Sequence, residues 1–349
     1  MANGTKWWRA DIFSKKLPFL QKRALITAEI RKFFTERDFL EPETAVLQIS
    51  PGLEPHLKAF ETRMVEPFEE TLKTMYLHTS PEFAMKKLLA AGLPRIFQMA
   101  RVFRNEQRST LHHPEFVMLE WYRANADYTA LMDDTQQLVQ ACAKACGAKT
   151  LAANGMECEI SGDWERLSVR EAFKKYADLD IFDYLPATPV LDPDPTDFAH
   201  AAQKSGIETN PTDSWDDIYF RIMFEKIETQ IGRTRPTILY DYPVCMAALS
   251  RKKPGDNRLA ERFEVYACGV ELANAFSELT DVKEQRIRFE HDMDLKEKLY
   301  NERYPIDEDF MDALAYMPPA AGIAVGVDRL VMLLTHAPEI EDVLWTPVA

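Results

Sequence analysis

The sequence predicts an α+β fold, helices flanking an antiparallel β-sheet, and three observations carry that prediction. Strand-like runs fall at 101–103, 116–122, 237–242, 262–267 and 270–279. Helical periodicities occur in separate blocks instead of alternating one for one with those strands, which argues against a parallel βαβ sheet. With 46% hydrophobic residues in a chain of 349, there is enough apolar material to close a substantial core.

In chain order, a helix over about 20–35 places Ile26, Ile30, Phe33 and Phe34 on one side, and Pro42 ends any helical continuation. In HTSPEFAMKKLLAAGLP, Ser80 is a good N-cap and Pro81 suits the first helical position. Met85, Leu88 and Leu89 form a buried stripe there, and Gly92 is the stop. Asp127 caps a helix running to Gly147, and Ser168 with Glu171 has the spacing of a capping box. Proline and acidic residues in LPATPVLDPDPTDF and ETNPTD mark a surface insertion around 150–215 in an otherwise single domain spanning 1–349. DDIYFRIMFEKIETQIG reads as one helix ending at Gly232, and no internal repeat is visible.

Charge and composition exclude several classes. The 42 basic and 56 acidic residues give a net charge of −14, which repels an extended phosphate backbone, so a polyanion must be met by a few positioned arginines. Five cysteines without a Cys-x-x-Cys pair suggest neither a disulfide framework nor a zinc site. No window approaches a membrane span, and MANGTKWWRADIFSKKLPF lacks the apolar run of a leader, so a cytoplasmic protein with no membrane partner is expected.

Three constellations carry chemistry. In RVFRNEQRSTLHHPEFVMLEWY, a hairpin presents Arg104 and Glu106 at its rim. A guanidinium fork matches phosphate oxygens, although a surface Arg104–Glu106 pair is the plain alternative. In RFEVYACGVELANAFSEL, Glu264, Glu271 and Glu278 recur every seven residues. A two-residue turn at Ala267 and Cys268 would set Glu264 opposite Glu271, a sparse oxygen site suited to Mg²⁺ carried by nucleotide phosphates. Glu278 joins them only if a bulge intervenes. In GIAVGVDRLVMLL, Gly322 and Gly326 allow close backbone approach and Arg329 lies in the first turn of an apolar helix, where an anion is favoured; an Asp328–Arg329 surface pair is equally compatible. Taken together, the arginines, carboxylates and glycines suit a bent triphosphate.

These segments resemble the signature motifs of the class II aminoacyl-tRNA synthetases, most closely the lysyl branch. FRNE followed by HPEFVMLEWY resembles motif 2, GVDRLVML resembles motif 3, and FLEPET resembles the end of motif 1. TSPEFAMKKLL and ELANAFSELTD are also similar to lysyl-type segments, so the likeness runs from about Leu20 onward. Only about twenty residues precede motif 1, too few for an anticodon-binding barrel. That combination is similar to the barrel-less ligases that join (R)-β-lysine to a lysine of elongation factor P, and Ala324 stands where the lysyl synthetases have glycine and these ligases alanine.

The resemblance implies a class II synthetase-like catalytic domain using ATP and Mg²⁺, a homodimer, and no tRNA substrate. The alternative is a truncated lysyl-tRNA synthetase-like enzyme that forms lysyl-adenylate or charges tRNA. Carried over position by position, it implies that Arg104 and Arg329 are catalytic, gripping the α- and γ-phosphates. Asn105, Glu106, His113, Phe116, Glu271, Leu272, Asn274 and Gly326 would complete the ATP site, Glu106 on the adenine amino group and Phe116 stacked on the ring. Ser80, Pro81, Glu82, Tyr122, Glu278 and Ala324 would line the amino-acid pocket, with Glu82 and Glu278 as anionic ends for two ammonium groups, and Glu264 with Glu271 would bind the metal. His113 departs from the family's asparagine, Ala275 from a glycine and Ala45 from the motif 1 proline.

Overall fold

A computed structural model of the chain describes residues 6–68, 71–247 and 249–348, so the first five residues of the N-terminal stretch read for a leader lie outside it. Its elements in order are α1 (Ala10–Thr35), β1 (Leu47–Gln48), β2 (Phe60–Val65), β3 (Leu72–Leu77), α2 (Glu82–Ala90), β4 (Arg95–Phe103), β5 (Glu115–Ala124), α3 (Tyr128–Cys146), β6 (Thr150–Ala153) and β7 (Met156–Glu159). There follow β8 (Glu165–Ser168), α4 (Val169–Ala177), α5 (Thr196–Lys204), α6 (Trp215–Ile222), β9 (Thr237–Pro243), β10 (Lys252–Lys253), β11 (Asp256–Ala267), β12 (Val270–Ser277), α7 (Val282–Tyr300), α8 (Glu308–Leu314), β13 (Ala320–Gly326) and α9 (Val327–Thr335).

The main sheet runs β4-β5-β13-β12-β11-β9-β8, with β10 paired to β11. Every pairing in it is antiparallel except β8 with β9, so the predicted α+β class holds. Strand alternation sorts the residues of the central strands onto two faces. Leu119 and Trp121 of β5, Ile323 and Val325 of β13, and Ala275 of β12 enter the main core, where α1, α3 and α9 pack on one another. Their neighbours Met118, Glu120, Tyr122, Gly322, Ala324, Asn274 and Phe276 face the other way and line a cavity. One strand triplet thus builds both the core and the site.

The caps fall where local chemistry places them. The Asp127 carboxylate accepts from Thr129 N–H at 3.0 Å, Gly147 closes α3 in the left-handed region at φ 73, and the Ser168/Glu171 capping box opens α4. Ser80 Oγ accepts from the Glu82 N–H at 3.0 Å, and regular helix begins at Glu82. α1 starts ten residues before the expected Leu20, carrying Pro18 inside it, and the helix expected to reach Gly232 passes into a π-helical turn at Met223–Ile227.

The stretch 150–215 is no loose addition. Leu151 and Cys158 of the β6–β7 hairpin enter the main core, and β8 forms the parallel edge of the sheet. Phe173, Ile181, Phe198, Trp215 and Tyr219 build a second core against Leu239 and Tyr242 of β9. The prolines and acids that suggested an insertion are interspersed with large apolar residues, and burial of the latter fixes the segment. Among the described residues all five cysteines are free, and no helix is long and apolar enough to cross a membrane.

Candidate functional site

The face of the sheet opposite the helical core holds a cavity of about 310 Å³. The predicted residues Ser80, Glu82, Arg104, His113, Phe116, Tyr122, Glu271, Leu272, Asn274, Ala324, Gly326 and Arg329 all line it. Asn105, Glu106, Pro81, Glu264 and Glu278 do not form its wall, and each has a physical reason.

At the phosphate-suited end, Arg104 follows β4 and its guanidinium lies 5.3 Å from the Phe116 ring centroid. Its Nε is buried without a hydrogen-bond partner among the described residues. Burial opposes its charge, and Glu54 and Glu271 act against that. Arg329, in the first turn of α9, donates to the Glu271 carbonyl at 2.8 Å and to His112 Nε2 at 2.6 Å. His112 Nδ1 lies 2.9 Å from Ser109 Oγ, so a neutral ring accepts from Arg329 and donates to the serine. Burial, then Arg329 and Arg104, holds the His112 pKa down and keeps it in that neutral form. His112 is not among the site residues expected from the sequence. Nothing in the doublet HH distinguishes the histidine that meets the arginine from the one that does not.

His113 is the other. Its Nδ1 lies 2.6 Å from the Glu115 carbonyl and its Nε2 accepts from the Val348 N–H at 3.1 Å. Both ring nitrogens are consumed by backbone, so only the carbon edge of the ring remains for a nucleotide. Glu106 takes a left-handed φ of 58 and pairs with Lys58 at 2.9 Å on the exposed rim. Asn105 is tied up in the same turn: its Oδ1 accepts from the Glu106 N–H and its own N–H donates to the Lys58 carbonyl. The Asp328–Arg329 surface pair is ruled out, because Asp328 is buried, ion-paired with Arg23 of α1 and accepting from Val117 N–H at 2.8 Å.

The β11–β12 hairpin turns at Cys268–Gly269, one residue later than expected, with φ 54 and 70. A two-residue turn of this hand demands positive φ at both positions, and glycine satisfies the second. Glu264 therefore faces Asn274, while Glu271 faces Tyr266. Between these pairs Leu272 is an extra residue on β12, a bulge that lets Glu271 and Asn274 both reach the cavity and resets the parity of Glu278. The bend thus lies at Leu272 and not at Ala275, which is fully buried between Phe263 and Ile323. Glu264 sits behind the wall, accepting from Tyr242 Oη at 2.8 Å and Tyr266 Oη at 2.6 Å and paired with Arg262. Burial and Glu264 together push the Glu271 carboxyl up to about 7. A buried carboxylate with an anionic neighbour fits a cation carried in by phosphates. No group of three or more metal-ligating side chains is assembled among the described residues; the groups that would hold such a cation are Glu271, with Glu264 behind it.

At the other end is a carboxylate cluster. Lys86, 1% exposed, lies 2.5 Å from both Glu82 and Glu278. These two acids are therefore not separate anionic ends but two sides of one buried cation, an arrangement that requires α2 to pack beside β12 and so is invisible in sequence. Glu278 lies beneath the wall at Gly322, where a Cβ would meet its Oε1 at 2.4 Å and Tyr122 Cε1 at 2.3 Å. Pro81 sits at the mouth of a smaller adjoining pocket shared with Ser80 and Glu82. Glu120, unremarked in the sequence, accepts from Ser80 Oγ at 2.5 Å and from Tyr122 Oη at 2.8 Å. Burial and Glu82 push Glu120 up to about 8, and burial raises Glu278 to about 8 against the opposing pull of Lys86. The only sequence signal for Glu120 was its place in the alternation with Met118 and Tyr122 on the cavity face of β5. One end of the cavity thus offers guanidinium groups, and the other carboxyl groups in excess of their single internal lysine.

Residues 10–349 match the family described as tRNA synthetases class II (D, K and N). The chain is 41% identical over 326 residues to the elongation factor P (R)-β-lysine ligase of Haemophilus influenzae strain PittGG, covering 93% of each chain. It is 41% identical to the protein of that name in Yersinia enterocolitica, covering 94% of each, and 40% identical to that of Salmonella paratyphi B, covering 95% of each.

Proposed function

We propose, from the premise that the chain belongs to the class II tRNA synthetase family, that it activates (R)-β-lysine with ATP and transfers the acyl group to a lysine side chain of elongation factor P. The observation that carries this is the polarity of one cavity: Arg104 and Arg329 at one end, Glu82, Glu120 and Tyr122 at the other. A triphosphate fits the first end and an amino acid bearing ammonium groups the second.

In the first step a carboxylate oxygen of the amino acid attacks the α-phosphorus, the bond to the bridging oxygen breaks, and pyrophosphate leaves. Arg104 would hold the α-phosphate and Arg329 the γ-phosphate, so the chain contributes orientation and charge stabilisation without a covalent enzyme intermediate. Phe116, already beneath the Arg104 guanidinium, supplies an aromatic face for the adenine. Glu271, with Glu264 behind it, would hold magnesium, which when bound neutralises phosphate charge. In the second step the acceptor amine attacks the acyl carbon, AMP leaves, and the amine gives up a proton.

The proposal extends to a cytoplasmic homodimer with no tRNA substrate. Exposed Leu25 on α1 with Leu40, Leu47 and Ile49 just after it is consistent with a second copy covering that face. Incubation with ATP, (R)-β-lysine and elongation factor P, followed by intact-mass measurement, tests the function. A β-lysyl adduct on the factor is expected; its absence, with label appearing on tRNA in a parallel reaction, overturns the proposal in favour of a tRNA-charging enzyme.

A further inference from the structure

The loop before β2 carries a carboxylate that the chemistry above leaves unused. Glu54 lines the cavity beside Ser80, Glu82 and Arg104, and its buried Oε2 has no hydrogen-bond partner among the described residues. An unpaired buried carboxylate oxygen is expensive, and a fold retains one where a ligand supplies the missing donor. The loop is built to present it. Gly52 adopts φ 129, and a Cβ there would meet Glu54 Oε2 at 2.8 Å and Thr79 Oγ1 at 2.7 Å, so only glycine lets the carboxylate take this position. Thr79 bonds the Pro51 carbonyl at 2.8 Å, and the buried Lys296 ammonium bonds the carbonyls of Pro55 and Leu57 at 3.0 and 2.7 Å. Both ends of the loop are thereby fastened, and Glu54 is preorganised.

Its surroundings say what it would meet. Burial raises the Glu54 pKa, the nearby charges of Glu82 and Asp292 raise it further, and Arg104 lowers it. Glu54 therefore stands between the guanidinium that faces the reacting phosphate and the carboxylate cluster. A carboxylate poised to attack that phosphate leaves the carbons next to it, and any amine they bear, in this same stretch of cavity. Glu82 and Glu278 already share Lys86, and both Glu120 oxygens are met by the Ser80 and Tyr122 hydroxyls, whereas among the described residues nothing meets Glu54 Oε2.

We propose that Glu54 is a specificity-determining residue that accepts the ammonium group nearest the reacting carboxylate of a diamino acid, the distal ammonium being left to the Glu120 and Tyr122 end. This deepens, and rests on, the function proposed above. The test compares Glu54→Gln, which keeps shape and removes charge, with the unsubstituted chain in ATP–pyrophosphate exchange. The ligands are (R)-β-lysine and 6-aminohexanoate, which keeps the carboxylate and distal ammonium but has no amine near the carboxylate.

A lost hydrogen bond to a charged group predicts that Glu54→Gln weakens (R)-β-lysine by about tenfold to a hundredfold, and leaves the inhibition constant of 6-aminohexanoate and the KM for ATP within about twofold. The unfolding midpoint should be unchanged or raised, since a buried charge is removed. Equal weakening of both ligands would show that Glu54 does not read that amine. A raised KM for ATP with (R)-β-lysine unaffected would make it only a counter-ion to Arg104. Either result overturns the assignment. Should the unsubstituted chain activate α-lysine in place of (R)-β-lysine, the proposed acyl group fails. The same comparison, run with α-lysine against 6-aminohexanoate, still decides the role of Glu54.

Discussion

Replacing Lys86 with methionine removes the one cation inside the carboxylate cluster and keeps an unbranched side chain of similar reach. Its ammonium lies 2.5 Å from both Glu82 and Glu278, and the three side chains are 1%, 12% and 0% exposed. Removing one partner of a buried ion pair costs about 3–5 kcal/mol, because it leaves charge uncompensated in a low dielectric. Protonation limits that loss. Glu278 already titrates near 8 with Lys86 pulling it down, so without the lysine it binds its proton more tightly and stays neutral at moderate pH. The sign follows: the folded variant holds a proton that the unfolded chain releases above about 4.5, so its stability declines as pH rises. Urea unfolding of Lys86→Met and the unsubstituted protein at pH 6 and pH 8.5 should give a difference of about 3–5 kcal/mol at the higher pH and a clearly smaller one at the lower. Adding Glu278→Gln to Lys86→Met should recover part of the loss. A difference that is absent, or identical at the two pH values, would refute the three-residue charge cluster.

Three further outcomes are expected. Arg104→Ala should lower the rate of ATP–pyrophosphate exchange by about 10²–10³ without moving the unfolding midpoint, because its Nε has no protein partner to lose. Gly322→Ala should destabilise by about 1–3 kcal/mol in chemical denaturation, and raise the KM for the amino acid more than that for ATP, since the added methyl is driven into Tyr122 and Glu278. With Glu120 and Glu278 near 8, the folded protein keeps protons that the unfolded chain loses, so stability should fall as pH rises between about 4.5 and about 8, and Glu120→Gln should flatten that slope. Over the same range the KM for an ammonium-bearing substrate should fall as these carboxylates ionise.

The antiparallel α+β class followed from periodicity, and the caps at Asp127 and Ser168 from residue chemistry, because both depend on contacts within a few positions along the chain. In 150–215 a census of proline and acid does not register that Phe198 stacks on Trp215, with Phe173 packed beside Phe198, once helices form. The turn of the β11–β12 hairpin was misplaced by one residue for a local reason, the preference for glycine at its second position. The compensating bulge at Leu272 belongs to the pairing of two strands and not to either sequence alone.

By itself the sequence determined which chemical groups are available: two arginines for an anion, carboxylates every seven residues, glycines where backbone must come close, and an alternation on β5 that sets Trp121 on one face and Glu120 and Tyr122 on the other, toward the cavity. Only the tertiary structure decided how those groups are paired. Lys86 from α2 neutralising two acids, Asp328 turning away to Arg23, His112 and not His113 meeting Arg329, and Glu54 Oε2 left without a donor among the described residues are all outcomes of which elements pack side by side. Electrostatic energy varies inversely with distance, and burial multiplies it by lowering the dielectric. The charge state of the site is therefore set by neighbours across space, and sequence separation carries almost no information about them.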